Sequence, residues 1–468
     1  MKKTHVHFMG IGGSGIAGVA ILAKNQGFQV TGCDLAKDTY YLKSLAKAGI
    51  KSLVGHDVSH LKGVDILAVT PAVLDVNPDH PEIVEAKKRG ILMTWQEFMA
   101  KYLQKNKFVI AIAGTHGKST TTALTGLVLE ASGLDPIVEV GAIVPEWQAT
   151  VRAGKSKYFV CEADEFNYNF LSYSPSIIII NNIEMDHPEF FKDFGQFCDA
   201  FKKFVRKVQK PKILIVNEES QGIQTLLQEL KPWLIKNQVK IIGYLINKSF
   251  AFPFVTEYQA TVKEIKPEFT RFTVTNDFGR KEFQLKIPGI HNVANALGVI
   301  ACAIFLKIKP EKINRVLSQF GGLGRRFDLI GEAKGVKVFD DYAVHPTAVA
   351  ATLKAAKQKY PQSRIWAVFE PHQFSRLHLF LNGFASSLNL ADRVIVTKIY
   401  AGREKDTGKI RVEDLVQKIG AKAKYIKDFE DLADGLARQA ESGDVVIVFG
   451  AGKSYLISKM IIEKLKND

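Results

Sequence analysis

The stretch Gly114-Thr-His-Gly-Lys-Ser-Thr-Thr-Thr122 directly follows the apolar run Phe108-Val-Ile-Ala-Ile-Ala113. A buried strand that leads into Gly-x-x-Gly-Lys-Ser is typical of a phosphate-binding loop, whose glycines let backbone N–H groups turn toward a polyphosphate. Lys118 is placed to reach the β- and γ-phosphates, and the Ser119 hydroxyl to bind Mg²⁺. Residues 120–130 predict a helix whose N-terminus faces the anion. The longer form of this loop needs a glycine at position 112, where the chain has Ile112.

Composition limits the class of protein. The chain has 468 residues, of which 46% are apolar, so we expect roughly two to four folded domains. No run approaches the ~18 consecutive apolar residues of a membrane span, and the N-terminus leads straight into a predicted strand, so we expect neither membrane insertion nor a signal peptide. The four cysteines are far apart and form no CxxC pair, which predicts buried free thiols in a reducing cytoplasm.

The formal net charge of +15 leaves two interpretations open, a nucleic-acid binder and a lysine-rich surface. The lysines are scattered, and aromatic residues do not alternate with arginines as they do where bases stack. We therefore favour the lysine-rich surface and expect no nucleic-acid partner. The excess positive charge can also steer anionic substrates.

Alternating apolar runs and helical patterns predict an α/β protein of three domains. Residues 1–105 have the βαβ rhythm of a Rossmann-like domain, residues 106–323 contain the phosphate loop and a β-rich part near 240–290, and residues 324–468 form a second Rossmann-like domain. In the β-rich part, the runs Phe269–Thr275 and Lys281–Ile287 flank turn residues and predict a hairpin.

The first predicted strand runs into Gly10-Ile-Gly-Gly-Ser-Gly15, and Asp34 ends the next strand. This GxGxxG pattern lets the backbone approach a diphosphate at a helix N-terminus, and Asp34 stands where a dinucleotide fold places its ribose-binding carboxylate. The residues alone indicate NAD binding. The same loop serves any nucleotide diphosphate, and a tight turn without a ligand is a further alternative.

Polar side chains also follow the later predicted strands. Glu162-Ala-Asp-Glu165 and Asn182-Ile-Glu-Met-Asp-His187 each come just after a strand of the central domain. Because ligands gather at the carboxyl ends of strands in open α/β sheets, these groups predict a metal–triphosphate site, for which oxygen ligands suit Mg²⁺. Weaker candidates, each with the alternative of an ordinary polar loop, are His291-Asn-x-x-Asn295, Arg325-Arg326, Asp340–Pro346 and Glu370–Arg376.

These motifs, in this order and spacing, resemble those of the Mur ligases, the ATP-dependent amide-forming enzymes of cytoplasmic peptidoglycan synthesis. The resemblance spans essentially the whole chain. The loop Gly10–Gly15 with Phe369-Glu-Pro-His372 and Ile399–Lys405 is most similar to the members that join L-alanine to UDP-N-acetylmuramate. The recycling members that attach a whole tripeptide are the alternative.

The resemblance implies that the first domain binds the UDP part of the substrate and that no NAD is involved. It implies ATP and Mg²⁺ as cofactors, with Mn²⁺ as an alternative metal, and UDP-N-acetylmuramate and an amino acid as small-molecule partners. The residues implied for the UDP-substrate are Gly10, Gly12, Gly13, Ser14, Gly15 and Asp34. Those implied for ATP are Gly114, Thr115, His116, Gly117, Lys118, Ser119, Thr120, His291, Asn295, Arg326 and Asp341.

The implied catalytic residues are Lys118, Glu162, His187, His345 and Arg376, and the implied metal ligands are Ser119, Glu162 and His187. Four positions depart from the alanine-adding pattern, namely Phe166, Val344, Gln373 and His378. They leave the identity of the added amino acid or peptide open. Two interpretations of another class also remain at this point: a non-catalytic nucleotide sensor with an NAD-binding first domain, and a basic nucleic-acid-binding ATPase.

Overall fold

The computed structural model describes residues 3–247, 255–276 and 279–467, and within them the chain builds three β-sheets that are mostly parallel. The first sheet has the order β3-β2-β1-β4-β5 and is parallel throughout. Its strands are β1 (His5–Met9), β2 (Gln29–Asp34), β3 (Lys51–Val54), β4 (Ile66–Val69) and β5 (Leu92–Thr94). Its helices are α1 (Ser14–Asn25), α2 (Tyr40–Lys47), α3 (Pro71–Val76), α4 (Pro81–Lys88) and α5 (Trp95–Phe98).

The second sheet has ten strands in the order β15-β14-β13-β12-β11-β10-β6-β9-β7-β8. The apolar runs of its middle strands are buried on both faces, as expected where helices cover a parallel sheet. The strands are β6 (Phe108–Ala113), β7 (Ile137–Val144), β8 (Ala149–Arg152), β9 (Tyr158–Glu162), β10 (Ile177–Ile180), β11 (Ile213–Asn217), β12 (Lys240–Ile246), β13 (Val255–Ile265), β14 (Thr270–Asn276) and β15 (Gly279–Leu285). The helices are α6 (Lys118–Ala131), α7 (Phe194–Val205), α8 (Gln221–Lys236), α9 (Ile290–Phe305) and α10 (Pro310–Gln319).

The third sheet has the order β16-β17-β21-β18-β19-β20, with only the β16–β17 pair antiparallel. Its strands are β16 (Asp328–Ala333), β17 (Val336–Asp341), β18 (Ile365–Phe369), β19 (Arg393–Val396), β20 (Ala423–Tyr425) and β21 (Val445–Phe449). Its helices are α11 (Pro346–Lys359), α12 (Phe374–Leu379), α13 (Leu381–Leu388), α14 (Val412–Ile419), α15 (Phe429–Ala437) and α16 (Ser454–Asn467).

The predicted α/β class with three units is confirmed, and so is the β-rich part of the central unit. Strands β14 and β15 pair antiparallel as the predicted hairpin, and the two residues between them, 277 and 278, lie outside the described part of the chain. The predicted domain boundaries at 105 and 323 stay predictions. All four cysteines are buried. Among the described residues, no helix has the length and apolar character needed to cross a bilayer.

The three units touch one another around the carboxyl ends of the central strands. Helix α1 packs on the β7–β8 hairpin so closely that a Cβ on Gly18 would lie 2.6 Å from Val151. On the opposite side, Arg376 of α12 donates to Asp186, just beyond β10. The polar residues that the sequence places after strands are therefore gathered between domains.

Candidate active site

The phosphate-type loop lies between β6 and α6. Gly114 has φ of +131° and Gly117 has φ of +80°, conformations that residues with a side chain rarely adopt. Gly117 is also closely approached, because a Cβ there would lie 2.3 Å from Oδ1 of Asn295 on α9. Helix α6 begins at Lys118, so its N-terminal N–H groups face the loop, the arrangement that binds anions.

Lys118 is held inside the loop by two partners. Its Nζ donates to the carbonyl of Gly114 at 2.7 Å and to Oε2 of Glu165 at 2.9 Å. Burial opposes the charge of Lys118, but the carboxylates of Glu165 and Asp164 raise its pKa above the usual value. The lysine is therefore a positioned cation at the point where a triphosphate would enter.

Residues after β10 hold the other side of the loop. Oδ1 of Asn182 accepts the backbone N–H of His116 at 2.8 Å. The Thr115 hydroxyl donates to the carbonyl of Glu184 at 2.8 Å, and Asn181 donates to the Thr121 hydroxyl at 3.0 Å. These bonds connect the ends of the neighbouring strands β6 and β10. We call this edge of the site, formed by residues 114–121 and 181–187, the rim.

A carboxylate–histidine cluster lies beside Lys118. Ligand atoms of Asp164, Glu165 and His187 all lie within 4.8 Å of one another. His187 has φ of +55°, and its Nδ1 lies 3.1 Å from Oε1 of Glu189. Although burial opposes its protonation, Asp186 and Glu189 raise the pKa of His187 to about 9. The two carboxylates offer the oxygen ligands that suit Mg²⁺ or Mn²⁺, and the His187 imidazole can join them only after it loses its proton.

Glu162, a predicted metal ligand, ends strand β9 beside strand β7. Its carboxylate accepts the backbone N–H of Gly141 on the neighbouring strand β7. Among the described residues, the carboxylates that join His187 in the cluster are those of Asp164 and Glu165. Ser119 follows Lys118 and is buried at the start of α6.

The C-terminal domain contributes a buried ion pair to this edge. Nε and Nη2 of Arg376 donate to Oδ1 of Asp186 at 3.0 and 2.8 Å, and Nη1 lies 2.6 Å from Nδ1 of His372. Burial acts in the other direction, but His187 and Arg376 hold the pKa of Asp186 well below its usual range. The pair fixes α12 against the segment that carries His187.

His345 forms a second contact between the same two domains. Its ring lies 4.6 Å from that of His116, centroid to centroid, and its Nε2 lies 3.2 Å from the carbonyl of Met185. The Thr347 hydroxyl donates to Glu184 at 2.7 Å. Burial, and then the nearby His116, lower the pKa of His345 to about 4, so the ring is neutral near pH 7. The structure thus brings the predicted His116 and His345 together over the loop.

Two residues predicted to contact ATP, Asp341 and Arg326, have contacts within the C-terminal domain. The Asp341 carboxylate accepts the N–H groups of Phe327 and Ala343 and the Thr352 hydroxyl, all within its own domain. The Arg326 guanidinium lies 5.1 Å from the centre of the Tyr342 ring. His291 and Asn295 lie in the first two turns of α9, where Asn295 approaches Gly117.

The Gly10–Gly15 loop also forms as predicted, between β1 and α1. The N–H of Gly12 donates to Oδ2 of Asp34 at 2.8 Å, and that of Ala36 donates to the other oxygen. Asp34 therefore braces the loop backbone, a different partner from the sugar hydroxyl of the dinucleotide interpretation. A Cβ on Gly15 would lie 2.9 Å from the Trp95 ring, which explains the need for glycine there.

The sequence placed Glu165, Glu184 and Asp186 within the motifs predicted to form the metal–triphosphate site, and His372 within the candidate segment Glu370–Arg376, but it gave the three carboxylates no individual roles. The available signal was position, because all four follow a strand whose carboxyl end meets the same rim. What the sequence does not give is which of several adjacent carboxylates turns inward.

The chain matches three family models that together cover most of its length. They are described as "Mur ligase family, catalytic domain" over residues 5–107, "Mur ligase middle domain" over residues 112–303, and "Mur ligase, glutamate ligase domain" over residues 325–452. The UDP-N-acetylmuramate–L-alanine ligase of Alkaliphilus metalliredigens is 38% identical over 461 residues, covering 98% of this chain and 97% of that protein. The ligase of the same name from Acetivibrio thermocellus is 37% identical, covering 99% and 96%.

Solved structures agree with these sequence matches. The UDP-N-acetylmuramate–alanine ligase of Thermotoga maritima superposes with a TM-score of 0.80 at 27% identity, covering 99% of both chains. A murein peptide ligase of Psychrobacter arcticus superposes with a TM-score of 0.74 at 25% identity, again over 99% of both chains.

Proposed function

This chain belongs to the Mur ligase family, and we propose on that premise that it is an ATP-dependent ligase that joins L-alanine to the lactyl carboxylate of UDP-N-acetylmuramate. One observation carries the proposal in this structure. The phosphate loop with Lys118, the cluster around His187 and the C-terminal arginine Arg376 meet at one rim between domains. We propose that ATP binds at this rim and that the Gly10–Gly15 loop binds the diphosphate of the UDP-linked substrate on the first domain.

The proposed chemistry has two steps. The lactyl carboxylate attacks the γ-phosphorus of ATP, which forms an acyl phosphate and releases ADP. The amine of L-alanine then attacks the acyl carbon, loses a proton, and the tetrahedral intermediate expels inorganic phosphate to leave an amide. Phosphorylation is needed because a free carboxylate is a poor electrophile. Lys118 exchanges its partner Glu165 for phosphate oxygens and stabilises the charge that develops on them.

Ser119, Glu162 and His187 are proposed to hold Mg²⁺, with Mn²⁺ as an alternative, and the carboxylates of Asp164 and Glu165 lie beside His187. The hydrogen bond from Gly141 occupies one lone pair of the Glu162 carboxylate and leaves others for a cation. When bound, the cation neutralises charge on the transferred phosphoryl group. Closure of the C-terminal domain over the loop excludes water from the acyl phosphate, and the contacts of His345 and Arg376 support that role.

The recycling alternative, in which a tripeptide is added, is not favoured. The eight curated relatives compared, at 34–38% identity, are all named as alanine ligases. An alanine ligase of this kind serves peptidoglycan precursor synthesis, and hence cell shape and division. We propose a cytoplasmic location, since ATP and the UDP-linked substrate are found there.

The test is phosphate release by the purified full-length protein with ATP, Mg²⁺ and UDP-N-acetylmuramate, against a panel of amino acids and the tripeptide. We expect release to require UDP-N-acetylmuramate and to be fastest with L-alanine. Release with the tripeptide alone would contradict the proposed substrate, and tight NAD binding without binding of UDP-N-acetylmuramate would contradict the proposed class.

The Lys118→Ala variant tests whether the two nucleotide sites lie on different domains and function independently. Because this lysine is the cation inside the loop, we expect ADP formation to fall at least about a hundredfold, while UDP-N-acetylmuramate still binds to the first domain by calorimetry. Lys105→Ala, at an exposed lysine before β6, is the matched control and should keep activity. Loss of both nucleotide interactions in a folded Lys118→Ala protein would contradict this division between domains.

A further inference from the structure

Four side chains with metal-binding atoms converge in the first domain, away from the candidate active site. They are His7 on β1, Cys33 on β2, His60 on the turn after β3, and Glu82 in the first turn of α4. One ligand atom from each lies within 4.8 Å of all the others. His7, Cys33 and Glu82 are at most 1% exposed. Strand pairing β4-β1-β2 and the packing of α4 thus bring together residues up to 75 positions apart.

The separations between Glu82 and the other three side chains are close to those of tetrahedral coordination. Bond lengths to Zn²⁺ place two ligand atoms about 3.3–3.6 Å apart across a tetrahedral centre. Nε2 of His7 lies 3.5 Å from Oε1 of Glu82, and Nδ1 of His60 lies 3.8 Å from Oε2. Sγ of Cys33 lies 3.8 Å from the nearer oxygen of Glu82. Each separation is within a few tenths of an ångström of the tetrahedral range.

The inward-facing ring nitrogens have no other role among the described residues. Nε2 of His7 and Nδ1 of His60 are both buried and have no hydrogen-bond partner within the described part of the chain. The opposite nitrogen of His7, Nδ1, lies 2.9 Å from the Thr31 hydroxyl. That contact orients the ring and leaves Nε2 directed at the cluster, as outer partners do for metal-binding histidines.

Glu82 has no fixed cationic partner among the described residues. Its carboxylate oxygens lie within 4 Å of the His7 and His60 imidazoles, and no lysine or arginine forms an ion pair with it. A cation at the centre of the cluster would give this buried carboxylate a partner.

We propose that His7, Cys33, His60 and Glu82 form a Zn²⁺ site through Nε2, Sγ, Nδ1 and one carboxylate oxygen. Two neutral nitrogens, one thiolate and one carboxylate form a donor set that selects Zn²⁺ among common divalent cations. The two anionic ligands balance the charge of the metal. The N–H of Asp57 donates to Oε2 of Glu82 at 3.1 Å and orients the carboxylate. Nδ1 of His56 lies 3.1 Å from Sγ of Cys33, where an N–H stabilises a thiolate.

The site is structural and lies directly behind the first nucleotide loop. The carbonyl of Cys33 accepts the N–H groups of Gly10 and Ile11 at 2.8 and 3.1 Å. A metal bound at the Cys33 side chain therefore fixes the strand end that supports the Gly10–Gly15 loop. The inference does not depend on the ligase activity, because none of its four ligands belongs to the proposed catalytic set.

The test uses the full-length protein without a polyhistidine tag, freed of metal by chelation and titrated with Co²⁺. We expect one Co²⁺ per chain to produce thiolate-to-cobalt charge-transfer absorption, which Zn²⁺ abolishes by displacement. The cluster of Asp164, Glu165 and His187 contains no cysteine, so cobalt there cannot give this band. Cys33→Ser should remove the band, and Cys198→Ser, at a cysteine on α7, is the matched control that should keep it.

Thermal unfolding gives an independent measurement. Zn²⁺ should raise the Tm of the parent protein and of Cys198→Ser but not of Cys33→Ser. If Cys33→Ser fails to fold by circular dichroism, His60→Gln, at a partly exposed ligand, should still weaken Co²⁺ binding at least about tenfold. A parent protein with no thiolate absorption, or one whose Co²⁺ affinity is the same in His60→Gln, would show a hydrogen-bonded cluster only and overturn the proposal.

Discussion

At the scale of single residues, two arginines of the C-terminal domain pair with aspartates of other domains in very different surroundings. The side chains of Arg376 and Asp186 are 3% and 11% exposed, whereas those of Arg403 and Asp75 are 41% and 42% exposed. A buried charge that loses its partner cannot be rescued by water. The two pairs therefore offer a matched comparison.

Arg376→Ala leaves Asp186 buried without its guanidinium, and we expect it to lower the free energy of unfolding by about 3–5 kcal/mol. Arg403→Ala should cost no more than about 1 kcal/mol, because solvent screens the exposed pair. Denaturant unfolding of the two full-length variants measures both values. Equal losses in the two variants would mean that burial does not distinguish these contacts.

At the scale of elements, the two ends of α6 are flanked by glycines with nearly the same φ but different surroundings. Gly117 has φ of +80° and Gly133, after the end of α6, has φ of +81°. A Cβ at Gly117 would meet Asn295 at 2.3 Å, while a Cβ at Gly133 would have no neighbour within 4 Å. Alanine at either position carries the same backbone strain of about 1–2 kcal/mol.

Gly117→Ala should displace the loop from α9 and reduce ATP turnover by about a hundredfold, a loss that a 1 Å misplacement of reacting groups can cause. Gly133→Ala should lose only stability and keep its KM for ATP. Steady-state kinetics and thermal unfolding of both variants separate these effects. A Gly117→Ala enzyme with normal kinetics would show that the contact with Asn295 does not set the loop.

Elements were predictable where their signals are local. The apolar run of β6 with the glycines after it, and the two runs that form the β14–β15 hairpin, each depend on residues close together in the sequence. The pairing of Lys118 with Glu165 was not predictable, since it depends on how β9 lies beside β6. The cluster of His7, Cys33, His60 and Glu82 was missed for the same reason, as its members come from four separate elements.

At the scale of the whole molecule, two neutral histidines join the C-terminal domain to the rest of the site. Nδ1 of His345 accepts the N–H of Thr347 at 3.3 Å, and Nδ1 of His372 lies 2.6 Å from Nη1 of Arg376. Both rings therefore use a lone pair that protonation would remove. Burial, followed by a nearby histidine or arginine, lowers the pKa of each to about 4.

The free energy of unfolding should consequently be smaller at acid pH than at neutral pH. In the unfolded chain both histidines regain a pKa near 6.5, so between pH 6.5 and 4 the unfolded state binds more protons than the folded state. The free energy of unfolding then decreases as pH falls through this window, and the contribution of the two rings is complete above it.

Denaturant unfolding of the metal-free full-length protein at intervals from pH 7.5 to 4.5 measures the slope of the free energy of unfolding against pH. The double variant His345→Gln/His372→Gln should have a shallower slope, because glutamine cannot take up a proton. An unchanged slope in the double variant would assign the acid sensitivity to groups outside this domain contact.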